Sequence, residues 1–187
     1  MRWVVVGLLF LTLEGCQPDD LSQEPGLRGK TQVGAQAPGE TAPQDKAAQA
    51  ANPDRIYQLS DLKTTKVSIG KNKFTLWVMD TNSKRQEGMM FLTDPEVKMD
   101  QGMLFVFPEA EDQSFWMKNT LIPLDIAFIS KDKKILNTAQ MKPHDETGTP
   151  SKGKAQYVLE MKKGAFQHFG IKAGQQVVIQ ADVKAEE

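Results

Sequence analysis

The residues with the most chemical scope fall in three places. Phe115-Trp116-Met117-Lys118-Asn119-Thr120 sets an indole, an ammonium, an amide and a hydroxyl in a row, and Asp125 follows shortly after. If 114–118 is a strand, alternation puts Trp116 and Lys118 on one face and Phe115 and Met117 on the other. Asn119 and Thr120 then sit where that strand ends, and Asp125 opens the next. A polar lip beside an aromatic wall suits a small ligand. Glu160 has Val158, Leu159 and Met161 around it, so its carboxylate sits in apolar company and needs a cation or several donors. Arg85 is the only arginine between 56 and 187, and a guanidinium matches a carboxylate through paired hydrogen bonds. Arg85, Asp125 and Glu160 are therefore expected in one neighbourhood, with Trp116 or Lys118 at its edge.

Two uses of these residues fit the sequence. They form a ligand site, or they are scaffold, with Asn119, Thr120 and Asp125 bonding nearby backbone and Arg85 bridging a carboxylate. An enzyme reading makes Asp125 and Glu160 the acid–base pair of a hydrolase. No Ser-His-Asp arrangement is legible: His144 lies in a loop and His168 in a short helical segment, neither at ligand or triad spacing. The one cysteine, Cys16, precedes the domain, so the domain has neither a thiol nucleophile nor a cysteine-based zinc site. Met79, Met89, Met90, Met99, Met103, Met117, Met141 and Met161 raise a copper-binding alternative, since thioethers select Cu(I). Most of them occupy apolar positions of strand alternation, which favours core filling. No metal and no cofactor is expected. Residues 56–187 carry 18 Lys+Arg against 17 Asp+Glu, a balance that sets aside nucleic-acid binding.

The elements that must position these groups are short and mostly β. Lys73–Met79 alternates as a strand and pairs with Lys66–Ile69 through the Gly70-Lys71-Asn72 turn. Thr81-Asn82-Ser83 offers cap oxygens to a short helix over Lys84–Glu87 that stops at Gly88. Met103–Phe107 reads as a strand ending at Pro108, and Ser114–Lys118 as another. Leu124–Ile129 and Lys134–Met141 flank a polar turn as a hairpin. Tyr157–Met161 is a strand, Gly164–Gly170 one or two helical turns, and Gln175–Ala181 a last strand. Met103, Phe105 and Phe107 are expected to face the core in one layer with Leu124, Ile126 and Phe128. The fold expected is mainly β, a compact barrel or sandwich of short strands with one or two short helices.

Gly88-Met89-Met90, Gly102-Met103-Leu104-Phe105, the Phe115–Thr120 string, Pro123-Leu124-Asp125, Val158-Leu159-Glu160, Gly164 and Gly174 occur in an order that resembles the DUF192 family, over roughly 66–181. The resemblance implies a small β fold found in bacteria and archaea, often behind a signal sequence, with no established activity. Met89 stands where the family usually has Leu, a volume-conserving change. Arg85, Lys118, Asn119, Thr120, Asp125 and Glu160 are the polar members of the shared pattern, which singles them out as candidates.

The first 15 residues read as an address. Arg2 precedes an apolar stretch, Trp3–Leu13, too short to span a bilayer but suited to a signal-peptide core. Leu13-Glu14-Gly15-Cys16 resembles a lipobox, with Glu14 a departure where a small or apolar residue is usual. The resemblance implies lipid attachment at Cys16, and Gln17 after it an outer-membrane, periplasm-facing location. Residues 16–55 hold the anchor cysteine and a Pro- and Gly-rich linker without apolar periodicity, a composition expected to stay disordered and to reach on the order of 35 Å. The domain is expected over 56–187, and a chain starting at Ile56 to be as stable as a longer one. The function expected is that of a membrane-anchored envelope lipoprotein whose domain is a binding or interaction module.

Overall fold

The structure is a computed structural model and describes residues 51–180 and 183–186. The signal segment, Cys16 and most of the linker lie outside the described residues.

Seven strands form one sheet. In chain order the elements are β1 (Thr64–Ile69), β2 (Asn72–Met79), α1 (Asn82–Glu87), a 3-10 turn (Asp94–Glu96), β3 (Gly102–Phe115), β4 (Leu124–Ile129), β5 (Ile135–Met141), β6 (Thr149–Lys162), α2 (Ala165–Phe169) and β7 (Val177–Ile179). The strand order is β5-β4-β6-β3-β2-β1-β7. All neighbours are antiparallel except β2 and β3, which run parallel because the α1 crossover separates them. The sheet curls into a half-barrel whose outer strands meet at one end, through a Lys134–Gln176 bridge and the bonds Ile135 N to Gln175 O and Val177 N to Lys133 O. The mainly β fold with two short helices is the one expected.

Period-two alternation builds two cores, one on each side of the sheet. Leu76, Val78, Leu104, Val106, Ala127, Ile129, Leu159 and Met161 point to the concave side, where Ala165 and Phe166 of α2 plug the opening. Met103, Phe105, Leu124, Ile126, Phe128 and Val158 point to the other side, with Phe107 half-buried at the edge. This is the layer that the alternation predicts. The segments before β1 and around α1, with the loops 88–97 and 117–122, roof it. Phe115 is its aromatic hub, meeting Phe105 edge-on at 5.0 Å and Phe128 at 5.9 Å between ring centres.

Two boundaries differ from expectation. Pro108 does not end a strand: β3 continues to Phe115, with its pairing to β6 interrupted between Val106 and Glu111 and again between Asp112 and Ser114. Proline has no N–H to give a ladder, and a bulge is where a strand tolerates that loss. The bulges bend the strand so that Phe115 lies over Phe105. Residues 116–118 have left the strand. The packed domain also begins before Ile56. Arg55 is buried; its Nη1 donates to the carbonyls of Gly88 and Met90, and its Nε to that of Tyr57. Asn52 Nδ2 donates to Phe91 O. What reads as the end of a linker is a strap across the loop after α1.

Candidate functional site

A cleft of about 220 Å³ opens between α1 and the bent end of β3. Thr81 starts the helix, its Oγ1 accepting from Lys84 N, and Gly88 ends it at φ 47°. The glycine is required twice over: the conformation is left-handed, and a Cβ there would come within 3.1 Å of the Phe105 ring. That close approach lets Gly88, Met89 and Met90 form one wall. Phe105, Phe107 and Phe115 of β3 form the opposite wall, and Trp116, half exposed, stands at the mouth.

Glu160 lines the cleft from the sheet. It lies across from Met103 on β3 and Ile126 on β4, so its immediate strand neighbours are apolar. It is 4% exposed, and no described residue makes a hydrogen bond or ion pair to its carboxyl. Burial pushes its pKa up to about 8, so the group is mainly protonated at neutral pH. Arg85, on α1, lines the same cleft. Its Nη1 donates to the carbonyls of Asp80 and Val106 at 2.8 Å each, and its guanidinium lies 5.2 Å from the centre of the Phe107 ring. The remaining guanidinium hydrogens bond no described residue. Burial lowers the Arg85 pKa against the opposing charge of Asp80, but a guanidinium stays protonated at any working pH.

Glu87 is the other charged group on the cleft, and it is already matched. Its carboxylate accepts from Ile56 N at 2.6 Å and Tyr57 N at 3.0 Å, and Arg55 Nη2 lies 3.3 Å away. That Nη2 makes no aligned hydrogen bond, so the Arg55–Glu87 contact is a charge pair, with the directional bonds supplied by the strap's backbone.

Of the seven expected site residues, four converge: Arg85, Trp116, Thr120 and Glu160 all line the cleft. Thr120 also serves the scaffold, its Oγ1 donating to Lys118 O. Lys118 is exposed beside the mouth, its Nζ 5.2 Å from the Trp116 ring centre. Asn119 is a turn residue at φ 53° whose carbonyl accepts from Phe91 N, which ties the two loops bordering the cleft together. Asp125 does not belong to the cluster. It points to the concave side of the sheet, where Oδ2 accepts from Gly164 N and Phe166 N at 2.9 Å and Oδ1 from Gln140 Nε2. It anchors α2. Asp125 and Glu160 occupy opposite faces of the sheet, so the acid–base pair of the hydrolase reading does not exist, and Arg85 bridges neither carboxylate. Sequence reasoning missed Arg55, Glu87 and the wall at Gly88–Met90. The Gly88 stop was visible as a helix end, but Arg55 stood among Asn52, Pro53 and Asp54, where nothing periodic marked it.

Six of the domain's eight methionines pack in the two cores, five on the roofed side and Met161 on the concave side, while Met90 lines the cleft and Met99 is exposed. Among the described residues no group of His, Cys, Asp or Glu is arranged to hold a metal ion.

The sequence matches the family described as "DUF192: Uncharacterized ACR" over residues 64–179, from the first strand to the last. The chain belongs to this family. No curated protein matches it. Solved structures share its fold, among them these two. One, from Sinorhizobium meliloti 1021, is described as a "putative transcription regulator"; it is 30% identical with a TM-score of 0.60, over 63% of this chain and 95% of its own. The other, from Novosphingobium aromaticivorans DSM 12444, is described as a protein of unknown function; it is 33% identical with a TM-score of 0.60, over 73% of this chain and 99% of its own. In this DUF192 domain Arg85, Trp116, Thr120 and Glu160 meet in one cleft, whereas Asp125 is scaffold.

Proposed function

We propose that this DUF192 protein is a lipid-anchored protein of the cell envelope whose domain holds a small ligand in the cleft between α1 and β3. One observation carries the ligand reading: an unpartnered, buried carboxyl faces an open cleft. A carboxyl held in apolar surroundings without a protein donor is costly, and nothing in the packing of β3, β4 and β6 needs an acid between Met103 and Ile126. A leucine would fill the place. A bound molecule would repay the cost by taking the hydrogen bond that the domain leaves unmade. Apolar walls with a few polar groups are the usual make-up of such sites. The anchor rests on Cys16 after an apolar segment. The regulatory description of the Sinorhizobium relative does not carry over, because the charge balance offers nucleic acid no cationic surplus.

Native mass spectrometry of the full-length protein, released gently from its own cells, tests the ligand. A small-molecule adduct is expected on the wild type and not on Glu160→Leu. Wild type without an adduct, or an adduct equally abundant on the variant, contradicts the proposal.

A further inference from the structure

We infer that the cleft selects a small monoanion with a flat apolar body, a carboxylate above all, gripped by the free hydrogens of Arg85 and the acid O–H of Glu160. This deepens, and rests on, the reading of the cleft as a ligand site.

The charges decide the sign. Three charged or titratable groups border the cleft, Arg85 and Glu87 on α1 and Glu160 on β6. Glu87 is spent on Arg55, Ile56 and Tyr57. Facing Glu160, β3 supplies Met103 and β4 supplies Ile126. Gln113, Ser114, Trp116 and Thr120 add no charge. One cation is left over beside one acid that burial keeps neutral. An entering cation would meet Arg85 and would need Glu160 to ionise in apolar surroundings. An entering carboxylate meets a guanidinium with hydrogens to spare and a neutral acid able to donate, and bonds with one charged partner are the stronger class. The body of the ligand is set by Phe105, Phe107, Phe115 and Trp116, which offer ring faces and edges, and by the thioether of Met89. The cleft has room for one ring with a short arm.

Because the Glu160 proton is part of the grip, binding weakens as that proton is lost. Above a pH of about 8, affinity falls by about tenfold per pH unit.

Isothermal titration of the full-length protein with benzoate, benzylammonium and benzyl alcohol separates the possibilities, at a pH of about 6.5 and about 9.5, either side of the Glu160 titration. Benzoate is expected to bind at least about tenfold more tightly than the other two at the lower pH, and to lose about thirtyfold at the higher. In Glu160→Gln, whose amide still donates, benzoate binding persists and its pH dependence disappears. Preference for benzylammonium or benzyl alcohol overturns the anion assignment and leaves the cleft standing as a ligand site. Benzoate binding that is flat with pH in the wild type overturns the role of Glu160. Failure of all three probes overturns both the assignment and the cleft reading.

Discussion

Glu160 makes the folded domain sensitive to pH in a calculable direction. Its pKa is raised from the ordinary 4.5 to about 8 by burial. Between those values the folded state holds a proton that the unfolded chain has released. Stability is therefore greatest below the unfolded pKa, falls as pH rises toward 8, and levels off above it. Glu160→Gln keeps the shape and removes the titration. Urea unfolding across this range should show the variant's stability nearly level where the wild type declines, with the variant ahead by a few kcal/mol at most above pH 8. A wild type as flat as the variant would mean that the carboxyl is solvated. Arg55 is the second residue with a sharp expectation. Its side chain and that of Glu87 are 1% and 7% exposed, so Arg55→Met strands a buried carboxylate. The cost should be about 3–5 kcal/mol in urea unfolding. A loss under about 1 kcal/mol, the range of ordinary surface changes, would show that the pair is hydrated.

At the scale of elements, alternation and turn chemistry made most strands legible. Met103, Phe105, Leu124, Ile126 and Phe128 pack in one layer as period two requires. Phe105→Ala should cost about 3–5 kcal/mol, measured by urea unfolding, because Phe105 also closes on Gly88 and Phe115. What alternation cannot supply is the relative parity of strands distant in sequence. Asp125 and Glu160 each had a legible face within their own strands. Only the register pairing Ile126 with Glu160 shows that these faces are opposite. The bend of β3 was hidden for a related reason, since Pro108 reads as a stop unless the bulge pairing on β6 is known. The strap was hidden because its partners, Gly88, Met90 and Phe91, use backbone carbonyls, which leave no mark in a sequence. The strap carries its own prediction, opposite to the one drawn from composition. A domain starting at Ala51 should melt about ten degrees or more above one starting at Ile56, which lacks Arg55. Equal midpoints would show that the strap adds nothing.

At the scale of the whole molecule, the DUF192 domain is a half-barrel with a plug on one side and a roofed, aromatic layer on the other. The cleft lies in the roof, whose loops vary more cheaply than the sheet. If Cys16 carries lipid, a fatty-acid probe fed to cells should label the wild type and leave Cys16→Ala unlabelled; equal labelling would refute the anchor. The strap at residues 51–55 holds the Gly88–Met90 wall in place through Arg55.

The proposed site depends on one chemical property, that Glu160 is a neutral acid without a protein partner. Carboxyl-carbon NMR of the protein labelled at glutamate, with Glu160→Gln to assign the signal, measures it directly. The Glu160 resonance should titrate with a midpoint near 8. A midpoint in the ordinary glutamate range, about 4 to 5, would contradict the claim.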